Sequence, residues 1–155
     1  MTIESIMLTD VQTVGPDDTV EKAVELMIDR NVRNLPVIDE QGRLIGTFST
    51  YRLVNLLLPV AATMEHGLKD LSFVHDTLED VKERLRELRY QRVGDVMRTK
   101  DIPIAHPDTS LIEGALLLHQ FRTRVPVTDK NGKLLGVVTY KGYLQAFLDA
   151  IREDK

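Results

Sequence analysis

Apolar residues recur as Val20, Ala23, Val24, Met27 and Ile28, the i, i+3, i+4, i+7, i+8 spacing that predicts a helix with one buried face. Leu35-Pro36-Val37-Ile38 is a short apolar run whose Pro stands near its start, where a missing ladder donor costs least, and it predicts a strand. Asp39-Glu40-Gln41-Gly42 supplies a turn, because Gly adopts positive φ without a Cβ clash, and Leu44 to Ser49 predicts the returning strand. A second helix follows from about Thr50 to Leu58, and Pro59 stops it. Upstream, a short strand near Val11 to Val14 ends at Gly15-Pro16, and Asp18 followed by Glu21 has the form of a capping box. The unit reads β-α-β-β-α.

The same pattern is written a second time. Pro36-Val37 recurs as Pro126-Val127, Gly42 as Gly132 and Gly46 as Gly136, all displaced by 90 positions. In the first helix the displacement is 91: Pro16 pairs with Pro107, and Val20, Ala23, Val24 and Met27 pair with Leu111, Gly114, Ala115 and Leu118. One residue gained before that helix and lost after it fits loop changes around two copies of one packed unit. Ser110-Leu111-Ile112-Glu113 is a regular capping box, Asn131-Gly132 a strong hairpin turn, and Tyr143, Leu144, Phe147, Leu148 and Ile151 share one face of a closing helix.

Between the copies, Leu71, Val74, Leu78, Val81, Leu85 and Leu88 form an apolar seam with alternating spacings of 3 and 4, and Asp76-x-x-Glu79 marks a helix start. This predicts an amphipathic helix that lies on the body, against a second subunit, or against another protein. The organisation is therefore a first repeat over 1–58, a helical linker over 59–93 and a second repeat over 94–155. A chain of 155 residues buries roughly 70% of its unfolded surface, whereas one copy alone would be marginal, so the two copies are expected to share one pseudo-twofold core.

Composition narrows the function. Lys plus Arg number 20 against 24 Asp plus Glu, a balance that disfavours nonspecific binding to nucleic acid or anionic membrane. The absence of Cys removes disulfides, thiolate metal sites and thiol nucleophiles, and suits a reducing compartment. Neither a basic-then-apolar leader nor an apolar run of membrane-spanning length is present, so the expected setting is the cytoplasm, without direct membrane insertion. His66, His75, His106 and His119 are scattered, Asp17-Asp18 sits where a helix N-terminus favours negative charge, and Ser49 lacks a nucleophile-elbow context. No catalytic or metal residue is assigned, and no enzyme activity is expected.

Pro-Asp-x-Thr/Ser before an Ala-containing helix, Leu/Val-Pro-Val, Asp-x-x-Gly-x-Leu-x-Gly and a strand-end Ser or Thr resemble the CBS domain, named from cystathionine β-synthase. Asp95-Val96-Met97 is also similar to the start of such a repeat. The resemblance covers both copies and leaves the middle segment outside it. It implies an α/β (α+β) tandem pair, a Bateman module, with two β-α-β-β-α repeats packed about a pseudo-twofold axis, a tendency to form disc-like homodimers, and two clefts between the repeats. It also implies a regulatory role: sensing of an adenine nucleotide or related adenosyl ligand (AMP, ADP, ATP or S-adenosylmethionine, none of them a required cofactor) and transmission to an unidentified protein target. The competing expectation is a ligand-free dimerisation or interaction module with vestigial clefts.

In nucleotide-binding relatives the resemblance places a Gly-x-x-Thr/Ser-x-x-Asp motif at the strand end, with the Asp on the ribose hydroxyls and the Ser or Thr near phosphate. Ser49 and Thr139 match, but Arg52 and Gly142 stand where the Asp would be. A guanidinium only donates hydrogen bonds and Gly has no side chain, so neither reproduces a carboxylate's grip on a diol. Arg33, Arg52, Arg122, Arg124 and Lys141 are candidates for phosphate oxygens, Arg being suited to bidentate contacts. Thr13, Val14, Asn34, Pro36, Ile104, Ala105 and Pro126 would line the clefts if the family geometry holds. The unequal Arg52 and Gly142 predict two clefts that are not equivalent.

Overall fold

The structure, a computed structural model, describes residues 1–58 and 78–154. Pro59, Leu71, Val74, His66, His75 and the Asp76 helix start therefore lie outside the described residues.

In the first repeat, helix α1 spans Val20–Arg30. Its cap is Thr19, whose hydroxyl accepts from the Lys22 amide at 3.2 Å, one residue later than the capping box expected at Asp18. Asp18 instead accepts from the Gly15 amide at 2.8 Å and pairs with Lys22 at 3.0 Å, so it fastens the preceding turn. Val20, Ala23 and Met27 are buried, whereas Ile28 is 75% exposed: the contact strip is narrow, and a residue about 100° round the axis from Met27 falls outside it. Strands β1 (Asn34–Ile38) and β2 (Leu44–Ser49) pair antiparallel, turned by Gly42 at φ 80. Asp39 Oδ1 closes that turn by accepting from the amides of Gln41 and Arg43. Helix α2 (Thr50–Leu57) then starts on a Ser49 cap.

Helix α3 spans Leu78–Leu88 and the single turn α4 spans Val93–Val96. The second repeat follows as α5 (Leu111–Phe121), β3 (Val125–Thr128), β4 (Leu134–Val138) and α6 (Tyr140–Glu153). Ser110 caps α5 at the Glu113 amide, Gly132 turns the hairpin at φ 84, and Asp129 Oδ1 repeats the part of Asp39.

Two further expectations are corrected. The strand near Val11 to Val14 contracts to a single parallel bridge between Val14 and Val37: Val14 N–H donates to the Pro36 carbonyl and Ile38 N–H to the Val14 carbonyl, but Pro36 has no N–H with which to carry the ladder back toward Val11. Ala105 bridges Val127 in the same way. The expected shared core is, in fact, two cores, one per repeat, each completed by the other copy's opening turn. Val93 and Val96 of α4 lie in the first core with Val14, Val37 and Phe48; Ile3 lies in the second with Ala105, Leu118, Val125 and Val138, and Ile6 and Met7 pack beside it. The exchange obeys the repeat: Ile3, Ile6 and Met7 match Val93, Val96 and Met97 at a displacement of 90.

Backbone bonds tie each exchanged segment down. Thr47 and Arg98 exchange N–H···O bonds at 2.9 Å on the edge of β2, and Leu8 and Val137 do so at 2.8 and 2.9 Å on β4. Such an approach needs a residue without a side chain. A Cβ on Gly46 would collide with Met97 and the Arg98 carbonyl, and one on Gly136 would collide with the Leu8 carbonyl. The hairpin tips also meet, Leu44 N–H donating to Gly132 and Leu134 N–H to Gly42 at 2.9 and 3.0 Å.

Helix α3 lies on the first repeat. Leu88 is 7% exposed, while Leu85 and Leu78 are 41% and 69% exposed, so the seam is buried only at its C-terminal end among the described residues. Arg89 clamps it there through two bonds to Glu21, at 2.7 and 2.9 Å, and Arg84 donates to the Leu57 carbonyl at 3.0 Å. Charge pairs also run along the helix, Lys82 with Glu79 and Arg86 with Glu83.

Candidate functional site

A cleft of about 500 Å³ opens between the repeats, within the size range of small-molecule sites. Arg33 and Asn34 reach it from the start of β1, Thr47 and Ser49 from β2, and Thr50 and Tyr51 from the first turn of α2. The opposite wall is Arg98, Ile102 and Pro103, with Phe121, Arg122, Thr123, Arg124 and Pro126 running from the end of α5 into β3. Four lining residues are Arg and none is Asp or Glu. Among the described residues Arg33, Arg122 and Arg124 form no ion pair, and the Arg98 guanidinium donates only to the Lys100 carbonyl. Uncompensated guanidinium groups facing one cavity make it a site for an anion.

Local folding accounts for the placement. The α5 helix ends in a left-handed residue, as α1 does at Asn31, and that residue is Arg122 at φ 54. The reversal carries Arg122 and Arg124 into the cleft. Asn34 spans the repeats, its Nδ2 donating to Thr123 Oγ1 at 2.9 Å, while its Oδ1 is buried without a partner. A donor on a bound ligand would satisfy that oxygen, whose isolation is otherwise unfavourable.

Of the residues expected from the sequence, the cleft thus unites Arg33, Asn34, Ser49, Arg122, Arg124 and Pro126. Arg52 lines an adjoining cavity of about 480 Å³ with Ser49, Tyr51, Arg98 and Asp101. Its guanidinium is engaged there: Nε donates to the Val96 carbonyl at 2.7 Å and another nitrogen to Asn55 at 3.2 Å, so Arg52 holds the exchanged turn α4. Ser49 and Thr139 are helix caps, accepting from the amides of Arg52 and Gly142 at 3.1 and 3.0 Å. Thr139, Lys141 and Gly142 line a separate surface cavity of about 490 Å³, shared with Asp149 and Glu153. Val14 and Ala105 are buried in the two cores; Thr13 and Ile104 beside them line none of these cavities.

The second cleft differs from the first. Val11, Gln12 and Val32 match Ile102, Pro103 and Thr123 at the displacement of 91, and with Pro36 and Arg124 they enclose only about 10 Å³. That is room for one water at most. Sequence reasoning missed Tyr51, Arg98 and Phe121. Arg98 had a signal, since it follows Met97 in the segment that the repeat start marks, but its position depends on the exchange between copies.

Among the described residues no group of three or more His, Cys, Asp or Glu is placed to hold a metal ion, and no helix is long and apolar enough to cross a membrane. The Asp18 carboxyl lies below its ordinary range, chiefly through the Gly15 amide and then Lys22; Glu21 is lowered by its bond to Arg89; and burial raises the Tyr143 phenol. None of these groups lines the large cleft.

Comparison with known proteins gives the same architecture. The CBS-domain family model matches twice, over residues 3–59 and 93–149. The chloroplastic CBS domain-containing protein CBSX1 of Arabidopsis thaliana is 30% identical over 146 residues, which make up 92% of this chain and 61% of that protein. The chain thus spans about three-fifths of that relative. The crystal structure of the CBS-pair protein CBSX2 from Arabidopsis thaliana superposes with a TM-score of 0.75 at 29% identity, covering 97% of this chain and 96% of that one. CBSX2 in complex with AMP gives 0.71 at 27% identity, covering 96% and 97%. Inosine-5'-monophosphate dehydrogenase of Methanocaldococcus jannaschii is 29% identical over 92% of this chain but only 23% of the enzyme, so such a pair also occurs inside a catalytic protein. Two exchanged β-hairpin and helix units, matched twice by one family model, establish that the chain belongs to the CBS-domain family as a tandem pair.

Proposed function

We propose that this protein is a non-catalytic regulatory module that takes an adenine nucleotide or related anionic ligand in the large inter-repeat cleft. The observation that carries the reading is the cleft itself: about 500 Å³, four Arg and no acid in its lining. The complex of CBSX2 with AMP supports the ligand class. Asn34 Oδ1 offers an acceptor for an exocyclic amine, and Phe121 and Tyr51 offer faces for a base. The cluster of guanidiniums favours a phosphorylated ligand over the sulfonium of S-adenosylmethionine.

Transmission requires the ligand to favour one arrangement of the chain over another. Ser49 lies in the cleft and caps the helix whose Arg52 grips α4, so a ligand that displaces Ser49 acts on the exchanged turn. The protein target sits beyond that step. We further propose self-association through the faces of α5 and α6, where Ile112 and Leu116 are 82% and 60% exposed and Leu144, Phe147 and Ile151 are exposed too. The cytoplasm, which supplies nucleotides, suits this reading.

A thermal-shift screen with AMP, ADP, ATP, S-adenosylmethionine and cyclic dinucleotides tests it. A ligand at a hundred times its Kd adds about 2.7 kcal/mol, roughly 5 to 11 °C for a chain of this size. No shift from any of them at millimolar concentration sinks the sensor reading and favours the second one, a ligand-free interaction module, for which the engaged Arg52 and the closed second cleft speak. Sedimentation velocity on the same sample, if it shows only monomer, removes the self-association.

A further inference from the structure

We infer that the large cleft selects its ligand by the number of phosphates it carries and is nearly indifferent to the sugar hydroxyls. This rests on the reading of the cleft as a nucleotide site and sharpens its specificity. Arg33, Arg98, Arg122 and Arg124 all line it, and no carboxylate does. A vicinal diol donates two hydrogen bonds and is held best by a charged acceptor. Here, however, the side-chain acceptors are neutral, and two are engaged: Ser49 Oγ takes the Arg52 amide and Thr123 Oγ1 takes Asn34 Nδ2, which leaves Asn34 Oδ1 as a single neutral acceptor rather than a carboxylate pair. Asp101, in the adjoining cavity, does not line the cleft.

The donors are plentiful. One α-phosphate leaves most of four guanidiniums unpaired, whereas a triphosphate presents enough oxygens to engage them. Arg122 adds a constraint, because its left-handed backbone at φ 54 disfavours a residue with a Cβ, and Asn, which suits that conformation better, stands at the matching position 31. The charge, rather than backbone preference, accounts for Arg at this site.

Calorimetric titration with AMP, ADP, ATP, 2'-deoxy-ATP and inorganic tripolyphosphate tests the inference. Each added phosphate is expected to tighten binding by roughly tenfold, the scale of a charge-assisted hydrogen bond. 2'-Deoxy-ATP should bind within about threefold of ATP, and tripolyphosphate should displace ATP. Arg122→Asn should weaken ATP far more than AMP while leaving the melting temperature of the free protein unchanged or higher, and Arg124→Gln should compress the same ratio. AMP binding as tightly as ATP, a tenfold or greater loss for the deoxy compound, or an unchanged ATP-to-AMP ratio in both variants would overturn phosphate counting while leaving a nucleotide site. Absence of binding by every nucleotide would overturn that site as well.

Discussion

Asp18 shows how one side chain can be named correctly and assigned the wrong task. Its sequence position predicts a helix cap, yet Thr19 has the extended backbone of the cap, and Asp18 reaches back to the Gly15 amide instead. That bond and Lys22 hold its carboxyl below its ordinary value of 3.8. A depressed folded pKa means that the stabilisation is complete above the unfolded pKa and is lost as pH falls through the folded one. The unfolding midpoint of the wild type should therefore fall more steeply below about pH 4 than that of Asp18→Asn; parallel curves would show that Asp18 contributes nothing. At this scale the sequence was most readable where chemistry is local. The Ser110 cap and the glycine turns needed only their neighbours, as did the Arg residues flanking the Pro-Val strands. Arg52 was misleading for the opposite reason: its partner is the Val96 carbonyl, 44 positions away.

Helix α3 puts the same contrast at the level of elements. A seam of alternating spacings predicts an apolar stripe but not how much of it meets the body. Among the described residues only the C-terminal end is sealed, by the buried Leu88 and by Arg89 on Glu21. Leu88→Ala should cost about 2 to 5 kcal/mol, as for a buried Leu, whereas Leu78→Ala should stay within about 0.5 kcal/mol. Urea unfolding reads both, and equal effects would place the seam's contact elsewhere. The matching face of the second repeat shows what covering does to composition. Glu21 and Glu25 flank α3, while their partners at a displacement of 91, Ile112 and Leu116, are apolar and bare. Strands β1 to β4 and the helices between them followed from periodicity and turn chemistry. The strand expected at Val11 to Val14 is only one bridge, because Pro36, next to the bridge partner Val37, cannot donate to a longer ladder.

Across the whole molecule, the duplication was legible and the exchange was not, since periodicity reports which residues are buried and never in which copy. Ile3 is 90 positions from its match at Val93, and each completes the core of the repeat it does not begin. Ile3→Ala should cost about 2 to 5 kcal/mol. Hydrogen exchange should then show protection lost first in β3 and β4, far away in sequence, with β1 and β2 retaining theirs; the reverse order would deny the exchange. A single repeat severed from its mate would lack one turn of its own interior while carrying a turn that fits only someone else's. It could become whole by reciprocal lending with another such fragment, at a rate set by concentration. Joining the two in one chain makes that loan permanent and independent of dilution, so what this lineage inherits as its smallest viable piece is the couple.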